Sequence, residues 1–418
     1  TLLFFVGMIT YLDRTALSVV APMVRKEFHF DDAEMGLLFS AFFLGYCVFC
    51  FIGGWAADRY GPRKVFAWAV GVWSFFCGAT ALANTFTQLV IVRIMFGIGE
   101  GPMGTTTNKS IANWFPQAET GRAVGLTNAG QPLGAALAAP VVGFIALRYG
   151  WRISFVAIAC LGFVWMALWL AFFRNRPDQH PRVSAAEIKL IEGSRTPLAA
   201  AAAVHRGSQR GILPIIFSAP VQGVAAAFFC FNYVLYFFLS WLPSYLTDYQ
   251  HLDIRRMSVV SILPWLAATL GFVLGGVLSD WLYRQSGNAL FARKTIIVVG
   301  LSVAATCVML AAHVHALWPA VALIAVASLF AFMTPQACWS ILQDIVPADR
   351  LGAAGGFVHF VANIAGVFSP SVTGLLIEYG GGYSSAFVVT SALAALGVAS
   401  VLIMVRQAGV ARLQLANS

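Results

Sequence analysis

The sequence predicts an all-α membrane protein, with twelve transmembrane helices arranged as two pseudo-symmetric six-helix bundles. Three observations carry this. Of the 418 residues, 59% are hydrophobic and only 10% charged, with a mean hydropathy of +0.79, whereas soluble domains carry about 25% charged residues. The apolar residues fall into twelve runs, each near the length of about 20 residues that crosses a bilayer. A distinctive loop sequence also recurs, in degenerate form, at the corresponding place in the second half of the chain, as internal duplication produces.

Cutting at charges and turn-forming residues places spans 1 to 6 at about 1–23, 34–57, 65–84, 88–114, 120–148 and 151–173. Spans 7 to 12 fall at about 213–247, 257–283, 294–312, 316–346, 351–379 and 383–405. The expected organisation is an N-terminal bundle (1–173), a cytoplasmic linker with a short helix (174–212) and a C-terminal bundle (213–418). Several spans exceed the bilayer length, which implies tilt or extension beyond it. In the linker, Ser184-Ala-Ala-Glu187 is a capping-box pattern that predicts a helix near 185–194. The Ala-rich stretch 196–210 reads as a mobile connector.

The repeated loop is Gly54-Trp-Ala-Ala-Asp58-Arg59-Tyr-Gly61-Pro-Arg63-Lys64, between spans 2 and 3. Its glycines permit a tight reversal, Asp58 can pair with a cation or a helix N-terminus, and the basic residues hold the loop on the cytoplasmic side. The second copy is Gly276-Val-Leu-Ser-Asp280, then Arg284, then Arg293-Lys294. A further trace of duplication links Gly125, Pro140, Tyr149 and Gly150 of span 5 with Gly355, Pro370, Tyr379 and Gly380 of span 11. Glycine and proline in membrane helices allow close packing and bending.

Orientation follows from lysine and arginine. One set of loops holds the Arg59 cluster, Arg122, the basic linker, the Arg293 cluster, Arg350, Arg406 and Arg412; the other holds only Arg25/Lys26, Arg148/Arg152 and Arg255/Arg256. Both termini are therefore expected in the cytoplasm, as an even number of spans requires. The net charge of +9 belongs to these loops and implies no nucleic-acid partner. The chain begins at Thr1 inside an apolar run, without Met or a basic flank, so a preceding tail is expected and no cleavable signal is read. The seven cysteines lie in apolar segments. Cys47-x-x-Cys50 has no second ligand pair, so these read as small buried thiols, with no metal site and no disulfide frame.

A charge at the bilayer centre costs at least about 2.5–3.5 kcal/mol, so an intramembrane ion is a functional candidate by default. Four stand out, all in the N-terminal half: Asp13 and Arg14 in span 1, Arg93 and Glu100 in span 4. Arg93 and Glu100 stand two turns apart on one helix face. Gly97 and Gly99 between them admit another helix, and Gly101-Pro102 just beyond lets the backbone open. A carboxylate in such a place pairs with arginine when ionised and releases it when protonated; a static ion pair tying helices together is the competing reading. Asp13 and Arg14 point about 100° apart on a helix, so one can face the cavity while the other pairs with a neighbour. Lys109, Asp344 and Asp349 fall near helix ends, where gate or loop contacts are expected. The C-terminal half offers hydrogen-bonding groups instead: Asn232, Tyr233, Tyr236, Ser240 and Trp241 in span 7, Gln336, Trp339, Ser340 and Gln343 in span 10, and His359 and Asn363, four apart, in span 11. Each alone reads as helix packing. As a set facing a cavity, with Tyr46 of span 2 and Asn128 and Gln131 of span 5, they suit a hydroxylated solute.

The loop resembles the signature between helices 2 and 3 of the major facilitator superfamily. Across all twelve spans, Tyr11-Leu-Asp13-Arg14, Phe42-Phe-Leu-Gly45-Tyr46, Arg93-Ile-Met-Phe-Gly97-Ile-Gly-Glu100-Gly-Pro102, Asn113-Trp-Phe-Pro116, Phe237-Phe-Leu-Ser-Trp241-Leu-Pro243-Ser-Tyr245 and Cys338-Trp339-Ser340 resemble its anion:cation symporter family, and within that the bacterial galactonate, glucarate and hexuronate permeases. The resemblance implies a monomeric carrier in the bacterial inner membrane, importing a small organic anion with protons as the coupling ion and no other cofactor. It makes Asp13 and Glu100 the protonation sites and Arg93 the partner of Glu100. Arg14 and Tyr46 contact the anion or the residues that hold it, and Gln131, Trp339 and Ser340 bind its hydroxyls and carboxylate. His359 departs from the family, which commonly carries Asn there, at a position that faces the substrate. The loops at Asp58 and Asp280 are expected to hold one end closed in the outward-open state. An organic-anion or organophosphate antiporter on the same fold is the alternative, though span 7 has no Lys or Arg for a second phosphate clamp. A transporter-like sensor is a third reading. No nucleophile motif or phosphate loop points to an enzyme.

Overall fold

The computed structural model describes residues 1–193, 213–346 and 350–406. The expected connector at 196–210, Asp349 and Arg412 lie outside the described residues. Span 1 is Leu2–Phe28, span 2 Asp32–Tyr60, span 3 Pro62–Ala79 and span 6 Trp151–Phe172. Span 7 is Ala219–Ser244, closed by a π-turn at Tyr245–Tyr249. Span 8 is Ile262–Ser286, span 9 Ala289–Ala311, span 11 Leu351–Tyr379 and span 12 Tyr383–Met404. Among the described residues, 11 helical segments are long and apolar enough to cross a membrane. Span 4, with Arg93, Glu100 and Lys109, is not among those 11 and supplies the twelfth.

Two spans are broken in the same way, which the sequence trace of duplication did not include. Span 4 runs Phe86–Glu100 and, after Gly101-Pro102, Met103–Trp114. Span 10 runs Leu317–Ala331 and then Thr334–Ile345, with Pro335 in its first turn. Proline is tolerated there because the first N–H groups of a helix have no intrahelical acceptor. Span 5 is divided at Ala129 into Gln117–Asn128 and Gly130–Tyr149, whereas its counterpart span 11 is continuous.

Caps account for several ends. Asp31 accepts the Glu34 N–H and Glu34 accepts the Asp31 N–H, a complete capping box that starts span 2. The helix expected in the linker forms as Ala185–Gly193, and Ser184 Oγ accepts the Glu187 N–H at 3.2 Å. Span 1 continues to Phe28, so Arg25 and Lys26 occupy its last turn rather than the loop expected after residue 23. Gly61 sits at φ +82° with the Asn175 side chain where a Cβ would stand, as the tight reversal between spans 2 and 3 requires.

The helices bury small and aromatic residues inward and leave large apolar side chains outside; Phe144 and Leu126 are each 69% exposed, as a lipid-facing surface requires. All seven cysteines are free. Cys160 is exposed and Cys50 and Cys307 half-buried, so the expectation of uniformly buried thiols fails on the outward helix faces.

Spans 2 and 11 cross between the two halves and touch along only part of their length. At the Asp32 end they are close: Gly36 lies against Pro370 and Gly374, and Phe43 against Gly366. Ser371 Oγ is 2.8 Å from Ser40 Oγ, and Ser18 Oγ of span 1 donates to the Leu239 carbonyl of span 7 at 2.9 Å. At the other end the first turns of span 11 meet open space at Gly352 and Gly356, and the Asp58 side chain is 68% exposed. The halves therefore close at the Asp32 end and part towards the Asp58 end.

Candidate functional site

Span 1 and span 4 bring the four buried charges into one cluster, with span 2 as its wall. Arg14 Nε donates to Glu100 Oε1 at 2.8 Å, and both side chains are almost wholly buried. This corrects the expected pairing: Glu100 bonds to Arg14, not to Arg93. The reason lies in the shelf between the two cations. Phe42 stands with Arg14 5.0 Å from its ring centroid and Arg93 5.3 Å from it. Arg93 also rests on Phe96 at 5.3 Å, and Arg14 lies 4.4 Å from the Tyr46 centroid. Desolvated cation–π contacts of this kind contribute about 2 kcal/mol or more. Gly97 permits the arrangement: any Cβ there would strike the Phe42 carbonyl oxygen, so spans 2 and 4 approach backbone to backbone.

Three atoms of this cluster have no hydrogen-bond partner although they are buried: Asp13 Oδ1, Glu100 Oε2 and Arg93 Nε. Buried polar atoms are otherwise nearly always paired, so the cluster holds capacity for a further proton or ligand. Asp13 lies within electrostatic reach of Glu100, Arg93 and Arg14. Both residues of the Asp13-Arg14 pair are thus turned inward, Arg14 onto Glu100 and Asp13 beside it.

Across the interface, Tyr236 of span 7 packs on Phe43 of span 2 with ring centroids 4.3 Å apart. Its hydroxyl donates to Asn363 Oδ1 at 2.7 Å. Asn363 Nδ2 donates to the His359 carbonyl at 2.7 Å and faces His359 Nδ1 at 2.6 Å. The His359 ring lies 6.3 Å from both Trp339 and Phe228. Arg14 is within electrostatic reach of Tyr236 and His359, so the two halves meet at one site.

Other expected residues stand further off. Asn128 and Gln131 bond to each other at 3.4 Å, and Gln131 lies against Gly7, about two turns of span 1 from Arg14. Asn232 is buried one turn before Tyr236. The Ser340 carbonyl accepts from Arg293, which ties that backbone to span 9. In the repeated loops, Asp58 pairs with Lys109 at 2.6 Å, and Arg293 pairs with Asp344. Arg59 rests on Trp55 and Tyr60. Arg63 donates to the Leu170 carbonyl, and its N–H donates to Asn175. Gly54 lies beside Thr105, and Asp280 acts on Arg293 electrostatically. Sequence reading missed Phe42 as the shelf for two cations, although its place four residues before Tyr46 was the available signal. It also missed the closed end. There Arg25 pairs with Asp32 at 3.0 Å and with Asp248 of the other half at 2.7 Å, and the Asp32 N–H donates to Glu378 at 3.1 Å. Arg25, Asp32 and Asp248 rim a groove of about 380 Å³. Among the described residues no group of His, Cys, Asp and Glu could hold a metal ion.

The comparisons agree with this architecture. The model of the major facilitator superfamily matches residues 3–291. The chain is 38% identical over 406 residues to the hexuronate transporter of Bacillus subtilis, covering 97% of this chain and 93% of the relative. It is 34% identical to a probable sulfoacetate transporter of Cupriavidus necator (93% and 89% covered) and 29% identical to a probable galactarate/D-glucarate transporter of Escherichia coli (97% and 92%). Among solved structures, a bacterial homologue of the human lysosomal transporter Spinster, in an inward-facing and occupied conformation, superposes with a TM-score of 0.76 at 17% identity, covering 100% of this chain and 97% of that one. A D-xylose–proton symporter superposes with 0.74 at 18% identity (96% and 95%). These structural likenesses carry the fold. With the family match spanning more than half of the chain and the relatives nearly all of it, this chain belongs to the major facilitator superfamily and is a multi-pass membrane transporter, not an enzyme.

Proposed function

We propose that this transporter is a proton-coupled symporter that imports a sugar acid across the bacterial inner membrane by alternating access. The observation that carries the reading is the buried Arg14–Glu100 ion pair at the meeting of the two halves, with Asp13 Oδ1 unpartnered beside it. An ionised Glu100 occupies Arg14. Protonating it removes the charge that holds Arg14, and the guanidinium then donates to the carboxylate of the solute, bidentate geometry favouring that exchange. Asp13 is the second protonation site, since a neutral carboxyl costs far less to bury unpartnered than an ionised one. Arg93, seated on Phe42 and Phe96, keeps a positive potential behind the acids. The solute's hydroxyls meet Tyr236, Asn363, His359 and Trp339. The relatives named for hexuronate and for galactarate and glucarate favour a sugar acid over other organic anions. The absence of Lys or Arg from span 7 disfavours a phosphate clamp shared between halves.

Residues 1–173 and 213–418 act as the two rocking units. With the basic loops and both termini in the cytoplasm, the closed Asp32 end faces outside and the parted Asp58 end faces inside, an inward-open state. Asp58 then pairs within its own half, with Lys109, its cross-half gate contacts released. The test is uptake into proteoliposomes with an acidic exterior, using labelled aldonates, aldarates, hexuronates and aromatic acids. Accumulation of sugar acids that collapses with a protonophore is expected. Exchange with preloaded solute but no accumulation would overturn symport and leave Asp13 and Glu100 as structural ions.

A further inference from the structure

Resting on the sugar-acid reading, we propose that the C-terminal side of the site is a neutral hydrogen-bonding clamp centred on His359, so that the carrier takes sugar acids with one carboxylate and rejects those with two. The relatives make this a real choice, because their names divide between hexuronate, which has one carboxylate, and galactarate and glucarate, which have two.

The tautomer of His359 follows from its neighbours. A backbone carbonyl only accepts, so the Asn363 amide group 2.7 Å from the His359 carbonyl is the NH2. That orientation turns Asn363 Oδ1 to the Tyr236 hydroxyl, which donates to it at 2.7 Å. The same NH2 faces His359 Nδ1 at 2.6 Å. Because an amide NH2 cannot accept, Nδ1 carries no proton and the ring proton is on Nε2. Asn363 and, behind it, Tyr236 thus hold His359 as a neutral imidazole with a single donor, flanked by Trp339 and Phe228.

The cations of the cluster are on the other side, and Arg293 of span 9, which reaches the Ser340 carbonyl, is neutralised by Asp344. Arg14 is the guanidinium freed when Glu100 is protonated, and Arg93 is buried beneath Phe42 and Phe96. Residues 219–249, 317–345 and 351–379, which form spans 7, 10 and 11, contain no Lys or Arg. A six-carbon uronate or aldonate places its carboxylate on Arg14 and presents hydroxyl or ring oxygens to the His359 side, where one N–H donor satisfies one acceptor. An aldarate of the same length presents a second carboxylate to a buried neutral donor. A buried anion without a countercharge is strongly disfavoured, so its exchange is expected to be lower by about 100-fold or more.

The test is exchange at symmetric pH 7, where both carboxylates of an aldarate are ionised, in proteoliposomes preloaded with a hexuronate. Labelled hexuronate, hexonate, hexarate and the small dianion sulfoacetate are compared. Wild type is expected to exchange the hexuronate and hexonate and to reject both dianions. His359→Lys and His359→Arg, which put a cation at the neutral end, are expected to raise hexarate exchange relative to hexuronate by at least tenfold, and His359→Asn to keep the monoanion preference. A nitrogen-resolved NMR spectrum of labelled His359 should show the Nε2–H tautomer. Equal exchange of hexarate and hexuronate by wild type would overturn this proposal alone, whatever the variants do. Exchange of no sugar acid would overturn the sugar-acid reading and this proposal with it.

Discussion

Glu100→Gln separates a coupling carboxylate from a structural one. The substitution is nearly isosteric, and the new amide oxygen can still accept from Arg14 Nε, 2.8 Å from the present carboxylate. It therefore avoids most of the about 3–5 kcal/mol that stripping a buried charge of its partner costs, and the carrier should fold. What it removes is the change of charge. On the proposed coupling, the two buried acids, Asp13 and Glu100, carry two protons in with one monovalent anion, moving one net positive charge. A potential of 100 mV then supplies about 2.3 kcal/mol. Each proton adds about 1.36 kcal/mol per pH unit. At one pH unit the drive is about 5 kcal/mol, an accumulation on the order of 5,000-fold. In the Glu100→Gln variant at most one proton accompanies the anion, transport is electroneutral, and the same gradients support at most about tenfold. The assay is uptake into proteoliposomes with a valinomycin-set potential and a defined pH step, alongside exchange with preloaded solute. Exchange should survive and the response to voltage should vanish. If Glu100→Gln concentrates solute as wild type does, the coupling role of Glu100 is wrong and the Arg14–Glu100 pair is only a tie between spans 1 and 4.

Other expectations address the rest of the site. Arg14→Ala leaves Glu100 buried and unpaired, so a loss of about 3–5 kcal/mol in stability, read as a lower melting temperature in detergent, should accompany loss of uptake; retention of both would mean that the cluster is solvated rather than buried. Gly97→Ala forces a methyl group onto the Phe42 carbonyl oxygen and should destabilise by about 1–3 kcal/mol; an unchanged melting temperature would count against the close approach of spans 2 and 4. Arg25→Ala removes the ion pair between halves at the closed end. Its partners Asp32 and Asp248 are partly exposed, so about 1 kcal/mol or less is at stake. Spin-label distances between spans 2 and 11 should show the opened population rising no more than about fivefold, and no rise at all would show that the remaining contacts of the seam hold that end shut without the ion pair.

Much of the fold was legible because the bilayer imposes it. Length and apolarity specify each span, and the capping residue Ser184 marks a helix start locally. The buried charges declared themselves for the same reason: nothing else in an apolar run explains Asp13, Arg14, Arg93 and Glu100. The ends of span 1 and the Gly101-Pro102 and Pro335 breaks were less well read, because a helix can run past the hydrocarbon and a proline can either kink a helix or start one.

Partnership is where local pattern stops. Spacing on one helix favoured Arg93 as the partner of Glu100, since the two share a face of span 4. The structure instead inserts Phe42 from span 2 against both arginines and brings Arg14 of span 1 to the carboxylate. The Arg25–Asp248 contact joins residues from different halves, and the chain from Tyr236 through Asn363 to His359 joins span 7 to span 11; no periodicity encodes either. The sequence by itself determined that the chain is a membrane bundle built on a duplicated plan, and which few residues it buries at high electrostatic cost, because solvation free energy depends on residue type and run length alone. Only the tertiary structure decided which charge neutralises which, which end is closed and which residues surround His359, because ion pairs and hydrogen bonds depend on distances between helices far apart in the chain.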